Sequence, residues 1–307
     1  MLSYCHMEKA EIISRIMELK QQKNAVILAH SYQTEEIYDI ADFVGDSLEL
    51  SLQAMKTSAE IIVFCGVHFM AESAKILNPE KKVLLPEVSA GCFLANCATA
   101  DAVKAKKKEF PEAAAVCYIN SSAAVKAECD AVITSANAVK VVKQLPQQQI
   151  ILIPDENLGS WIAEQLPEKE IILWQGNCNI HAAVNPEEVK QAKLENPEAK
   201  VIAHPECPKV IRDLADEVCG TSGMLRYVSE NEAKEFLIIT EPGMLTQLKR
   251  KEPSKKFTSL CGECADMKKI TLEKVLHSLE TETPEITVEA EIAQQAKVAL
   301  DKMMELS

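Results

Sequence analysis

The stretch "EKEIILWQGNCNIHAAVNP", residues 168–186, puts a cysteine where a thiol needs a reason. Ile171, Ile172, Leu173 and Trp174 read as a short buried strand. Gln175 and Gly176 end it, and Cys178 falls in the loop at its carboxyl end. That edge is where α/β proteins place their chemistry. Taken alone, Cys178 reads most simply as a small apolar side chain. Its neighbours along the chain change that reading.

Strand-like and helix-like segments alternate through the sequence, which predicts parallel sheets covered by helices. The order also repeats three times. Each unit opens on a strand ending in polar residues: "AHSYQ", "YINSS", "AHPEC". A second element ends in small hydroxyl residues: "VGDSL", "ITSAN", "CGTSGM". A third strand follows in "VFCGVHF", "LIPDENLG" and "IITEPGM", and each unit closes on a cysteine in "EVSAGC", "WQGNC" and "CGEC". The closing residues Cys92, Cys178 and Cys264 are spaced by 86 and 86, and Ser47, Ser135 and Ser222 by 88 and 87.

The expected fold class is therefore α/β, with three homologous three-layer αβα domains and short parallel sheets. Their expected bounds are 1–100, 101–185 and 186–264. Residues 265–307 read as helical, amphipathic in "EAEIAQQAKVALDKMMEL", and are expected to pack on the first domain. Units this small do not hold a core alone. Packed about a pseudo-threefold axis, their equivalent loops would converge on one central site, and three thiols would meet there.

Bulk composition narrows the function. The 307 residues are 47% hydrophobic and 26% charged, as in soluble globular proteins. No apolar run approaches the roughly 20 residues of a membrane span. The N-terminus lacks a secretory signal's apolar core, so a cytoplasmic location is expected. The net charge of −13 argues against nucleic acid as a partner. It leaves small anions open, since backbone N–H groups at helix starts bind them. Eleven cysteines in a reducing compartment favour a metal or redox role over disulfides.

Thiolates select zinc, copper(I) or iron–sulfur clusters. Three cysteines on a cubane leave one iron open as a Lewis acid; three on zinc leave a water position. The in-register spacing favours the cluster, with zinc as its competitor. Among the other cysteines, Cys65 and Cys117 read as core, and Cys129 and Cys219 as structural. Cys97 and Cys261 are out of register, and Cys5 and Cys207 carry no assignment. The Cys261–Cys264 pair is a lone CxxC.

His30, Tyr32, Tyr118, Asn120, His204 and Glu206 end the first strands, with His30, Tyr118 and His204 at equivalent places. Ser47, Ser135, Thr221 and Ser222 read as helix N-caps that also suit anion binding. Lys126 and Lys268 sit in helix-like runs and read as solvated. Of the four arginines, Arg15, Arg212, Arg226 and Arg250, none falls in a strand-end loop expected at the centre.

At these residues the sequence resembles the quinolinate synthase family. The match runs in order through "AHSYQ", "VGDSLELS", "FCGVHFMAESAKILNP", "AGCFLA", "YINSSAAVKA", "TSANA", "PDENLG", "WQGNCNIH", "HPEC", "GTSGM" and "CADMKK". The resemblance implies condensation of iminoaspartate with dihydroxyacetone phosphate to quinolinate, releasing phosphate and water, in NAD biosynthesis. It implies a 4Fe-4S cluster on Cys92, Cys178 and Cys264. It also implies substrate contacts at His30, Ser47, Tyr118, Asn120, Ser135, His204, Glu206, Thr221 and Ser222, with Glu206 and Tyr32 as acid/base candidates. Functional coupling to an L-aspartate oxidase would follow from the imine substrate. Ala265, Cys219 and Ser31 depart from the family's usual residues without removing a proposed ligand. A three-cysteine zinc hydrolase and an iron–sulfur redox sensor are the alternative readings.

Overall fold

The structure, a computed structural model, describes residues 7–307, so Cys5 lies outside the described residues. Three four-stranded parallel sheets carry the chain. The first is β1 (Ala25–His30), β2 (Phe43–Gly45), β3 (Ile61–Cys65) and β4 (Lys82–Leu84). The second is β5 (Ala114–Tyr118), β6 (Ala131–Ile133), β7 (Gln149–Ile153) and β8 (Glu170–Leu173). The third is β9 (Lys200–Ala203), β10 (Glu217–Val218), β11 (Glu235–Ile239) and β12 (Lys256–Ser259). In each sheet the order is second–first–third–fourth, with all pairs parallel. This is the α/β class expected from the alternation.

The chain divides into two compact units. One holds the sequence up to Cys92 with Ala265–Glu289, and therefore the first sheet. The other holds Phe93–Cys264 with Ala290–Ser307, and therefore the second and third sheets.

The central strands are apolar without alternation because helices cover both faces. All five residues of β3 and of β5 are buried. Shared side-chain devices hold the first two strands of each sheet together. Asp42, Asp130 and Asp216, spaced 88 and 86, precede β2, β6 and β10. Each carboxylate accepts the backbone N–H of a first-strand residue: Ile27 at 2.7 Å, Ala115 at 2.7 Å and Val201 at 2.8 Å. Lysines repeat in the same way. Lys20, Lys107 and Lys193 donate to the carbonyls of Ile40, Glu128 and Leu214. Lys81, Lys169 and Lys255 donate to the carbonyls of Thr57, Leu145 and Asn231. Each lysine joins the turn that ends one helix to a neighbouring segment of the same layer.

Two local expectations change. Residues 171–174 were expected as a buried strand, but β8 is the sheet edge and only half covered, with Leu173 44% exposed. An edge strand has one paired neighbour, and the helix Glu156–Gln165 covers one face of it. Gly159 of that helix allows close approach: a Cβ there would lie 2.6 Å from Leu173 Cδ2. The tail also divides. The helix Leu272–Thr281 packs on Lys9–Gln22 of the first unit, but the last helix, Ala290–Leu306, packs on the second sheet's β6 and the helix Ala123–Ala127. That helix has only five residues. It leaves apolar surface that Ala296, Ala299, Leu300 and Met303 of the last helix cover.

Candidate active site

In the second unit, the carboxyl ends of the sheets bring Tyr118, His204 and Glu206 together. The Tyr118 hydroxyl donates to Glu206 Oε1 at 2.6 Å. His181 Nδ1 lies 3.1 Å from Glu206 Oε2 and 3.2 Å from Cys178 Sγ. Its Nε2 is 2.9 Å from Thr240 Oγ1, and its ring stacks on His204 at 4.8 Å between centroids. Tyr118, His181, His204 and Glu206 are all buried. The sequence reading missed His181 and Thr240. The signal for His181 was its place three residues after Cys178, which one helical turn turns back toward that thiol.

Burial drives the electrostatics of this cluster. It pushes Glu206 up, but the His181 and His204 rings and the hydrogen bonds from His181 and Tyr118 outweigh it, so Glu206 is held well below the usual carboxylate range. A carboxylate only accepts. The N–H that faces Glu206 is therefore on His181 Nδ1. Burial lowers His204 to about 3 against the pull of Glu206, so this ring is neutral near neutral pH. His204 Nδ1 accepts the Glu206 backbone N–H at 3.3 Å, which leaves the proton on Nε2. Asp155, fully buried, is pushed well above the ordinary range by burial and then by the Glu206 charge. Of these two neighbouring carboxyls, the surroundings favour ionisation of Glu206 and oppose that of Asp155.

Pairing register identifies the equivalent hydroxyls. His30 pairs with Gly45 and Tyr118 with Ile133, so Ser47 and Ser135 lie two residues past the partner. Ala203 pairs with Val218, which makes Cys219 the counterpart and Thr221 the equivalent hydroxyl. Ser222, used in the sequence spacing, is one residue beyond. None of these hydroxyls is the expected N-cap. Asp46 caps the helix Ser47–Lys56, Asn137 precedes Ala138–Gln144, and Gly220 precedes Thr221–Glu230. Thr221 is buried, and Ser135 meets the backbone beside it: a Cβ on Gly220 would lie 2.5 Å from Ser135 Oγ. The second and third layers thus present their hydroxyl-bearing helix starts side by side. Asn120 is half-buried, in the place that Glu206 takes in the third layer.

In the first unit, His30 Nδ1 accepts the Tyr32 N–H at 3.1 Å, the same tautomer-fixing bond as at His204. The two rings meet edge to face at 4.6 Å. Ser47 is half-buried. Lys268 is not solvated as expected: its Nζ donates to the Tyr32 carbonyl at 2.6 Å. Lys126, likewise expected in solvent, is fully buried and donates to the Ser121 carbonyl at 2.6 Å. Arg212 is buried and committed to protein partners, namely the Asn157 and Cys207 carbonyls, Ser160 and Glu164.

Cys92, Cys178 and Cys264 are each half-buried in the loop after the fourth strand of their layer. Soft thiolate donors at loops suit a thiophilic metal or cluster. The donor atoms of Cys178, His181 and Glu206 lie within 4.8 Å of one another, a set able to hold a metal ion. Other thiols resist ionisation: burial pushes Cys65, Cys219 and Cys261 up to about 12. Among the described residues, no helix is long and apolar enough to cross a membrane.

A family model described as Quinolinate synthetase A protein matches residues 14–305. The chain is 50% identical over 303 residues to a protein named quinolinate synthase from Caldicellulosiruptor saccharolyticus, covering 98% of this chain and 100% of that protein. A quinolinate synthase from Sulfurihydrogenibium sp. is 50% identical over 305 residues, with 97% and 99% covered. One from Methanosarcina barkeri is 48% identical over 300 residues, with 97% and 98% covered.

Proposed function

The chain belongs to the quinolinate synthetase A family, and on that premise we propose that it is an enzyme of NAD biosynthesis, a quinolinate synthase. It condenses iminoaspartate with dihydroxyacetone phosphate and releases phosphate and water. The observation that carries this reading is the buried Glu206 carboxylate, held between the Tyr118 hydroxyl and His181 at the strand ends. Condensation, enolisation and dehydration all move protons, and a fixed carboxylate with a phenol and an imidazole in contact can take and return them.

Cys92, Cys178 and Cys264 are the proposed ligands of a 4Fe-4S cluster. Their half-buried loops and soft donors fit it. When bound, the cluster supplies a Lewis-acidic iron not held by cysteine. The protein's own groups do the rest. Glu206 takes part in proton transfer through the Tyr118 hydroxyl and the His181 N–H that it holds. His204 and His30, with Nδ1 engaged by backbone, present Nε2–H to anionic oxygens. Ser47, Ser135, Thr221 and Ser222, with Asn120, add neutral donors at or near helix starts, where the dipole favours carboxylate and phosphate. Tyr32 is the acid/base candidate of the first unit, its backbone held by Lys268. Neutral donors carry anion recognition, since the buried Arg212 is committed elsewhere.

An oxidase that makes the imine from L-aspartate is the proposed supplier, and the cytoplasm the proposed location. Family membership does not favour a zinc hydrolase or a redox sensor. The test is an anaerobic assay of the cluster-reconstituted protein with both substrates. Quinolinate is the expected product, and a cluster-loaded protein that forms none would overturn the reading.

A further inference from the structure

We propose that Glu241 is the positioning residue of the Cys264 loop, which it holds without the backbone hydrogen bond that Pro242 cannot donate. The inference rests on the reading of Cys264 as a cluster ligand. In two layers, the residue three positions past the third strand fastens the cysteine loop through its backbone. In the first layer the His68 N–H donates to the Ala90 carbonyl at 2.8 Å, two residues before Cys92. In the second, the Glu156 N–H donates to the Gly176 carbonyl at 2.7 Å, two residues before Cys178. The third-layer counterparts, 86 residues on from the second, are Pro242 and Gly262. Proline has no N–H. Gly262 is exposed, and a Cβ there would meet nothing within 4 Å, so the loop has no packed anchor at that point.

Glu241 stands one residue earlier. It is 1% exposed. Its Oε2 accepts the Gly243 N–H at 2.7 Å, and its Oε1 accepts the N–H of Cys264 itself at 3.2 Å. Asp155, 86 residues earlier, occupies the same place. Its carboxyl faces the Cys178 N–H, but its Oδ1 caps the helix Glu156–Gln165 by accepting from Asn157 and Leu158. The second layer therefore has a backbone bond and a shared carboxyl at its cysteine loop. The third has the carboxyl, shared between the Gly243 and Cys264 N–H groups, without the backbone bond. A group that orients a ligand from outside typically changes metal affinity by about 10–100-fold when removed.

The test has two arms. In cluster-free full-length protein, the alkylation rates of Cys264 and Cys178 by iodoacetamide are read by peptide mass spectrometry. Glu241→Ala should raise the Cys264 rate relative to Cys178 about tenfold. In reconstituted protein, the same variant should lose iron to a chelator about tenfold faster than the parent. Adding Pro242→Ala to Glu241→Ala restores the N–H that Glu156 carries at the equivalent position and should recover part of both effects. Pro242→Ala alone should slow Cys264 alkylation, which keeps the idea testable if Glu241→Ala does not fold. Unchanged Cys264 alkylation in Glu241→Ala, equal acceleration at both cysteines, or no effect of Pro242→Ala in either background would overturn the proposal. A parent that takes up no cluster would instead overturn the functional reading, while the alkylation arm still decides this one.

Discussion

The second and third layers use one scaffold and two chemistries. Their sheets have the same strand order, and the aspartates Asp130 and Asp216 hold the same strand N–H. Lys169 and Lys255 bind equivalent carbonyls. At the carboxyl ends the likeness stops. Tyr118 stands opposite His204 in the repeat, Asn120 opposite Glu206, and Glu156 opposite Pro242. Buried backbone groups need partners in every copy, so the scaffold residues cannot drift. On the proposed function, the strand-end side chains of these two layers would meet different parts of an unsymmetrical ligand, so each copy carries its own. The largest test of this division compares two cysteines of the second layer. Cys178→Ser should abolish cluster retention and quinolinate formation, read as iron per chain and anaerobic turnover. Cys117→Ala, in the buried middle of β5, should change stability alone.

Next in size is the difference between Glu206 and its counterpart Asn120. Glu206→Gln keeps the volume and an acceptor but cannot take a proton. Turnover should fall about hundredfold or more, the usual contribution of a positioned acid or base. Asn120→Ala should raise KM and leave the pH profile of turnover in place. A matching loss in both variants would make the carboxylate's charge irrelevant.

His204 and Tyr118 differ in acid. His204, lowered to about 3, stays neutral in the native state while the unfolded chain's histidine protonates near 6.5. Above pH 6.5 both states are neutral and this residue gives no pH dependence. Below it the unfolded state binds the extra proton, so native stability falls as pH falls toward 3. The slope from one such group is at most about 1.4 kcal/mol per pH unit. Denaturant titrations at pH 6.5 and 5 should show a smaller drop for His204→Asn than for the parent. Tyr118→Phe should leave the drop unchanged.

Much of this division was legible in the chain because the spacing itself carries it. Cys92, Cys178 and Cys264 keep a spacing of 86, and the polar strand ends stand out as polar residues closing apolar runs. The hydroxyl triplet was read one residue off, with Ser222 in place of Thr221. Both are small hydroxyl residues, and only the pairing of Ala203 with Val218 separates them. Lys126 and Lys268 were misread because helical periodicity cannot show that a lysine's ammonium will find a backbone carbonyl. His181 was hidden because its partners, Glu206 and Thr240, lie 25 and 59 residues away. The last helix was misplaced because an amphipathic pattern shows that a face will be covered and not by which layer.

The two helix starts should respond alike. Ser135→Ala and Thr221→Ala each remove one neutral donor at the same register position. Each should raise KM or lower turnover about tenfold, on the order of 1.4 kcal/mol. Asp46, Asn137 and Gly220 hold the cap positions, so folding stability should change less than activity does. Steady-state kinetics at matched cluster content reads both. Unchanged kinetics in both variants would remove the helix starts from the site.

The smallest effects should come from the shared scaffold, and there the two layers should be indistinguishable. Lys169 Nζ donates to the Leu145 and Gln147 carbonyls at 2.6 and 2.8 Å. Lys255 Nζ donates to the Val228 carbonyl and, at 2.8 Å, to that of Asn231. Methionine keeps the length of the stem and its packing but leaves the carbonyls to water. Both lysines are part-buried, so water can reach some of what is released. The expected cost of Lys169→Met and of Lys255→Met is therefore about 1–2 kcal/mol each, toward the low end for bonds to a charged donor. The midpoint of urea unfolding should move by the same amount in the two variants with an unchanged slope. Quinolinate turnover per cluster should stay at the parent value. Lys255 also lies 5.6 Å from the centre of the Phe236 ring, a contact the second layer does not share through Lys169. A loss larger at Lys255 by more than about 0.5–1 kcal/mol would assign that excess to the ring. A loss of activity at either lysine would show that scaffold and site are less separable than the repeat suggests.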